Sequence, residues 1–159
     1  MAENLFKNSL SVLILIIAVS FIPGCSGNNE GDVKGEKLNF DIMYTEYYAP
    51  FPDKMFIVIQ NEKDFRDFIN RTGMIFQPPD FEKYTVLALF MGEQKKGGYA
   101  ITVDRIVRED GVVRVYVKNL VPSETCFVTQ QITRPFQIVK VEKITEKIEF
   151  VESTQEVSC

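Results

Sequence analysis

The chain reads as a β-rich α+β domain, a mainly antiparallel sheet or sandwich carrying one short helix. Three observations predict it. Apolar and aromatic residues recur in short runs or in strict alternation, the signature of strands. The 13 Phe and 6 Tyr are residue types that favour strands and a packed core. Only one stretch, about residues 62–71, has helical spacing.

Phe40 to Tyr47 predicts a first strand, ended by Pro50 and Pro52. Met55-Phe56-Ile57-Val58-Ile59-Gln60 is a second, continuously apolar one. Asn61 is placed to cap the helix, with Phe65, Phe68 and Ile69 on one face. Glu62–Arg66 and Lys63–Asp67 are opposite charges four apart on the other face. Gly73 supplies the stop, and Pro78-Pro79 forces an extended connection. Tyr84 to Met91 is apolar throughout and reads as a central strand. Tyr99, Ile101 and Val103 alternate with Ala100 and Thr102. Asp110-Gly111 is a hairpin signal, followed by Val113, Val115 and Val117 in alternation. Phe136 to Val141 is a further strand, and Ile144, Ile148 and Phe150 mark a last one. Residues 153–159 read as a polar, frayed tail.

The N-terminus predicts export. Lys7 precedes an uncharged apolar run from Leu10 to Ile22, then Pro23-Gly24-Cys25. The run is too short for the roughly 20 residues a spanning helix needs. It fits residues 1–24 as a lipoprotein signal peptide, with Cys25 as the lipid attachment site. The expected location is extracytoplasmic, lipid-anchored to the cell membrane or outer membrane. Residues 25–37, rich in Gly, Asn and charge, read as a flexible tether. Residues 38–152 then form a single domain.

Composition narrows the chemistry. The chain is 45% hydrophobic, enough for a real core, and its net charge of −4 offers no basic field for nucleic acid. Histidine is absent, so neither Ser-His-Asp nor Cys-His activation is available. No His metal ligand exists either, and no cofactor or metal is expected. Asp41, Glu46, Asp104, Glu124 and Glu142 are scattered carboxylates that read as solvated surface charge. Gly92 to Gly98 lacks any Walker or GxGxxG pattern. With Cys25 lipidated, Cys126 and Cys159 remain; spacing leaves open a disulfide between them or two separate thiols.

Two loops stand out. Gly97-Gly98-Tyr99 joins a buried strand to an alternating one, and paired glycines allow another backbone to come close. Arg134-Pro135-Phe136 sets a rigid proline between a cation and an aromatic, residue types that anchor interfaces. The competing reading for both is turn geometry plus a core aromatic.

Phe81-Glu82-Lys83 through Gly92-Glu93, then Gly97-Gly98-Tyr99, then Cys126 to Gln131 and Pro135 to Lys140 come in an order that resembles the C-terminal domain family of PrcB, protease-complex lipoproteins. The resemblance covers roughly residues 55–142, and order and spacing carry it more than any single motif. It implies a β-rich fold, a cell-envelope compartment, no catalytic residues and a chaperone-like role in stabilising a surface protease. The family's glycine pair is often preceded by Thr, where this chain has Lys96. A weaker similarity is to chagasin-type protease inhibitors, whose Thr-Gly-aromatic and Arg-Pro-aromatic loops are echoed by Gly98-Tyr99 and Arg134-Pro135-Phe136. The expectation is a non-enzymatic domain that binds an exported protease or other envelope protein, with a protease inhibitor as the alternative.

Overall fold

Alternation in the second half of the chain builds one sheet. In β6 (Val112–Pro122), Val113, Val115 and Val117 are fully buried while the residues between them are half-exposed. β6 pairs with β5 (Ala100–Glu109) through a two-residue turn. Asp110 and Gly111 both hold positive φ, 51° and 74°, the conformation a type I′ hairpin demands. β1 (Glu36–Leu38) adds antiparallel to β5, and β8 (Lys147–Val157) adds parallel to β6, giving the order β1-β5-β6-β8. The computed structural model describes residues 35–158.

The second sheet is antiparallel throughout, in the order β2-β7-β4-β3. It comprises β2 (Phe40–Glu46), β3 (Met55–Ile59), β4 (Tyr84–Phe90) and β7 (Phe136–Glu142). Only Asn39 separates β1 from β2, so an almost unbroken strand passes from one sheet to the other.

The two sheets face each other over a core of Leu38, Leu87, Leu89, Ile106, Val115 and Val139, among others. The far face of the second sheet is covered by α1 (Glu62–Thr72), which buries Phe65 and Phe68 against Val86, Ala88, Phe90 and Ile138. β4 is therefore buried on both faces, which is why its sequence is apolar without alternation. Among the described residues the fold is an α+β sandwich with one short helix.

The helix is bounded as its sequence dictates. Asn61 Oδ1 accepts from Asp64 N at 2.9 Å. Gly73 takes the left-handed conformation and returns its N–H to Ile69 O at 2.8 Å. Lys63–Asp67 and Glu62–Arg66 lie on the solvent side at 3.2 and 3.5 Å.

One polar residue crosses the core. Gln137 sits among the inward-facing residues of β7 and is buried. β5 carries a register shift between Val103 and Arg105. Gln137 Oε1 accepts from Val103 N there at 2.8 Å, and its Nε2 donates to Thr45 Oγ1 at 3.3 Å. A buried side chain thus satisfies a backbone donor on the opposite sheet.

The structure corrects two boundaries. Residues 153–157, expected to fray, continue β8 in register with β6 as far as Val157↔Pro122. The backbone ladder holds them, helped by Ser153 Oγ donating to Val117 O at 3.3 Å and Asn119 Nδ2 donating to Glu152 Oε2 at 2.8 Å. Ser153 to Glu156 are exposed and only Val157 is half-buried, so no apolar pattern marks them. Glu36 and Lys37, expected in the tether, belong to β1. Arg108 holds that strand, donating from Nη1 to Glu36 and Glu142, both at 2.9 Å, and from Nε to Glu146 at 2.6 Å.

Candidate functional site

Strand ends gather three loops at one end of the sandwich. β2 and β4 end there and β7 begins there, since Glu46 and Phe90 both pair with Phe136. β5 begins and β6 ends there, since Ala100 pairs with Leu120. Loops 47–54, 91–99 and 123–135 connect these ends.

Backbone bonds tie the loops to one another. Gln94 and Thr133 exchange both of theirs, at 2.8 and 2.9 Å. Thr133 Oγ1 donates to Lys96 O at 3.1 Å. Gly97 N donates to Thr129 O and Glu93 N to Pro52 O, each at 2.8 Å. Arg134 N donates to Tyr47 O at 2.7 Å, and Ala49 N to Arg134 O at 2.9 Å. The two loops singled out by sequence are therefore neighbours.

Glycine is required where the backbones meet. A Cβ on Gly97 would lie 2.4 Å from Thr129 Oγ1. Gly98 has φ +86°, and a Cβ there would lie 2.7 Å from Val128 Cγ1. The glycine pair lets loop 91–99 lie against loop 123–135.

The six expected contact residues divide. Gly98 is exposed and Arg134 half-exposed. The Arg134 guanidinium donates to Glu93 Oε2 from Nε at 3.2 Å and Nη2 at 2.7 Å. Tyr99 is half-buried, packed on the inter-sheet core, and Gly97 is buried. Pro135 and Phe136 are a correction: both are buried. Phe136 is 2% exposed and stacks on Phe90 and Tyr44, with centroids 5.5 and 5.7 Å apart. It starts β7 with its side chain toward the helix, so it is a core aromatic and presents nothing to a partner.

The exposed apolar residues at this end are others. Phe127 is wholly exposed, 104%. Ile132, Tyr47 and Tyr48 are exposed on the same three loops. Phe127 was invisible to pattern reading because it lies in an irregular loop between a cysteine and polar residues. The one available signal was an isolated aromatic beside Cys126, with no strand period to bury it.

Cys126 is half-buried and disulfide-bonded. Cys25 and Cys159 lie outside the described residues, so neither the expected lipid attachment nor the expected bridge is described. Among the described residues no cluster of three or more Cys, Asp or Glu could hold a metal, and no helix is long and apolar enough to cross a membrane. A groove of about 300 Å³ beside α1 is lined by Phe65, Arg66, Ile69, Phe76 and Pro78, among others. The chemistry offered by the three-loop end is that of a contact surface: fixed backbone, aromatic and aliphatic side chains, and the ion pairs Arg134–Glu93 and Lys54–Glu152.

Residues 85–142 match the family model described as PrcB C-terminal, which spans β4 to β7 and so includes both tied loops. That family is of an accessory type and is not a known catalytic one. No curated protein and no solved structure matches the chain.

Proposed function

We propose, from the match of residues 85–142 to the PrcB C-terminal family model, that the chain is a non-enzymatic, lipid-anchored extracytoplasmic protein-binding domain. Its role is that of an accessory or stabilising subunit of an exported protease or other envelope complex. Cys25 carries the anchor. The single observation behind the binding role is the end of the sandwich where loops 47–54, 91–99 and 123–135 are bonded together and Phe127 stands wholly exposed. An aromatic on a fixed loop loses little conformational freedom when it enters a partner's pocket.

The alternative, a protease inhibitor, needs two presenting loops. Burial of Phe136 leaves the Arg134 loop without its aromatic.

The test is the lifetime and activity of an exported protease from the same envelope, with and without the domain. The accessory role predicts a longer-lived, active protease, and that Phe127→Ala together with Ile132→Ser abolishes the protection without unfolding the domain. Loss of protease activity on adding the domain would instead favour the inhibitor. Undiminished protection by the double variant would move the binding surface elsewhere.

A further inference from the structure

The outermost strand of a sheet has one side unpaired, and proteins blunt such edges with charge, brevity or cover. Among the described residues the sandwich has four edges, β1, β8, β2 and β3. β1 is three residues long and β3 five. β8 carries Lys147, Glu149, Glu152 and Glu156 along its length. β2 is different. Its seven residues hold two charges, Asp41 and Glu46, and no lysine, and it pairs with β7 alone. Ile42 and Tyr44 on the strand, and Tyr47 and Tyr48 just past it, are 41–61% exposed.

Both faces of this edge are apolar. A register shift between Ile42 and Tyr44 puts the two on opposite faces. Ile42 pairs with Val139 and lies on the face toward the other sheet; Tyr44 pairs with Ile138 and lies on the face toward the helix. Tyr44 stacks on Phe76, centroids 6.5 Å apart, and Phe76 is also a wall of the groove beside α1. An added strand sends successive side chains to opposite faces, so it meets Ile42 on one and Tyr44 with Phe76 on the other. The open backbone runs on past the strand. Tyr47 O and Ala49 N both bond Arg134, which turns the N–H and C=O of Tyr48 away from it.

We infer that β2 is a strand-addition edge for an extended segment of the protein partner, one that alternates apolar side chains and carries a basic residue for Glu46. The inference rests on the binding role proposed above. It extends that contact beyond the three loops, since Tyr47 and Tyr48 belong both to this edge and to loop 47–54. Main-chain bonds along the edge hold the segment, and Ile42, Tyr44 and Phe76 select its side chains. Charge decides against a second copy of this chain as the occupant. Asp41 is engaged by Lys140 at 3.1 Å, while Glu46 is exposed. Two copies of β2 paired antiparallel about Glu46 set the two carboxylates directly opposite, which destabilises the pairing, whereas a lysine or arginine there stabilises it.

The experiment uses the full chain and two short capped peptides of alternating valine and threonine, one with lysine at its centre and one with glutamate. The lysine peptide should bind about fivefold more tightly than the glutamate peptide, and Glu46→Lys should reverse the order. Bound lysine peptide should slow amide exchange about tenfold across residues 41–48 and leave α1 unchanged. Ile42→Lys places on the edge the residue with which natural sheets blunt it, and should weaken the lysine peptide about tenfold at an unchanged melting temperature. Exchange in β2 indifferent to the peptide, or equal binding of both peptides by both proteins, overturns the strand addition. A peptide-free dimer that slows exchange in β2 overturns the choice of occupant. Protease protection that survives Ile42→Lys and Glu46→Lys undiminished removes β2 from the partner contact and leaves the proposed function standing. Peptide binding without protection of any exported protease sinks the proposed function, while exchange and the charge reversal still decide the edge.

Discussion

Gln137 and Phe136 are adjacent, and the strand pleat sends them to opposite faces of one sheet. Gln137 faces the other sheet and satisfies Val103 N; Phe136 faces the helix and stacks on Phe90. Replacing Gln137 with Leu keeps the volume but leaves Val103 N buried and unpaired. The expected loss is about 1–3 kcal/mol, read as a lower denaturant midpoint at constant slope. A loss below about 0.5 kcal/mol would place water at Val103 N. Phe136→Ala should cost about 3–5 kcal/mol, the range for a buried aromatic. A folded, equally stable Phe136→Ala variant that had lost its partner would restore Phe136 to the contact surface. The sequence shows an aromatic after a proline in either case. Which face it takes depends on the first residue of β7, and Arg134-Pro135-Phe136 alone does not reveal that. Phe127 poses the reverse problem: its exposure follows from an irregular loop held by other loops, and no local period encodes it.

Elements with a local cause were the most legible. Asn61 and Gly73 bound α1 because capping needs only neighbours within four residues. Asp110-Gly111 turns β5 into β6 because its two φ values are fixed locally. β8 is the counterexample. Its exposed half owes its order to β6, reached only after the chain has crossed to the other sheet as β7 and returned. Removing residues 153–159 tests this. A frayed tail would leave stability unchanged, whereas a paired strand predicts a loss of about 2–5 kcal/mol from several ladder bonds of roughly 0.5–1.5 kcal/mol each. Arg108 sets the scale for β1. Two of its carboxylate partners, Glu36 and Glu142, are more than half exposed, so solvent weakens those pairs. Arg108→Met should therefore cost only about 1–2 kcal/mol, while amide exchange in Glu36–Leu38 becomes fast. Unchanged exchange there would mean the ladder to β5 holds β1 unaided.

Across the whole molecule, Asp80, Asp104, Glu146, Glu149 and Glu152 are held below their usual range by hydrogen bonds from cationic side chains, Asn119 or backbone N–H groups. Asp104 is lowered chiefly by its hydrogen bond from Lys118, 2.6 Å away, with Arg105 adding to it. For Glu152, burial is the largest influence and acts upward, but Lys54 and Asn119 outweigh it and the net shift is downward. Groups with a lowered folded-state pKa stabilise the fold above their unfolded value near 4. That contribution is lost as pH falls through the lower folded value. The chain has no histidine, so no side chain of that type titrates between pH 5 and 8. Melting temperature should be nearly flat from pH 6 to 8 and fall below about pH 4. In Asp104→Asn the acid slope should be shallower; an unchanged slope would show that Asp104 is not part of it. The placement of the three loops at one end is also a property of the whole molecule, set by strand order rather than by any segment. It decides the central claim, that this end binds another envelope protein. The most direct test is site-specific photo-crosslinking in native envelope from position 127, with position 110 in the β5–β6 turn as the comparison. Ten residues of β5 at about 3.3 Å each separate the two ends. The account predicts one discrete protein adduct from position 127 and none from position 110. An adduct from position 110 with none from position 127 would contradict it.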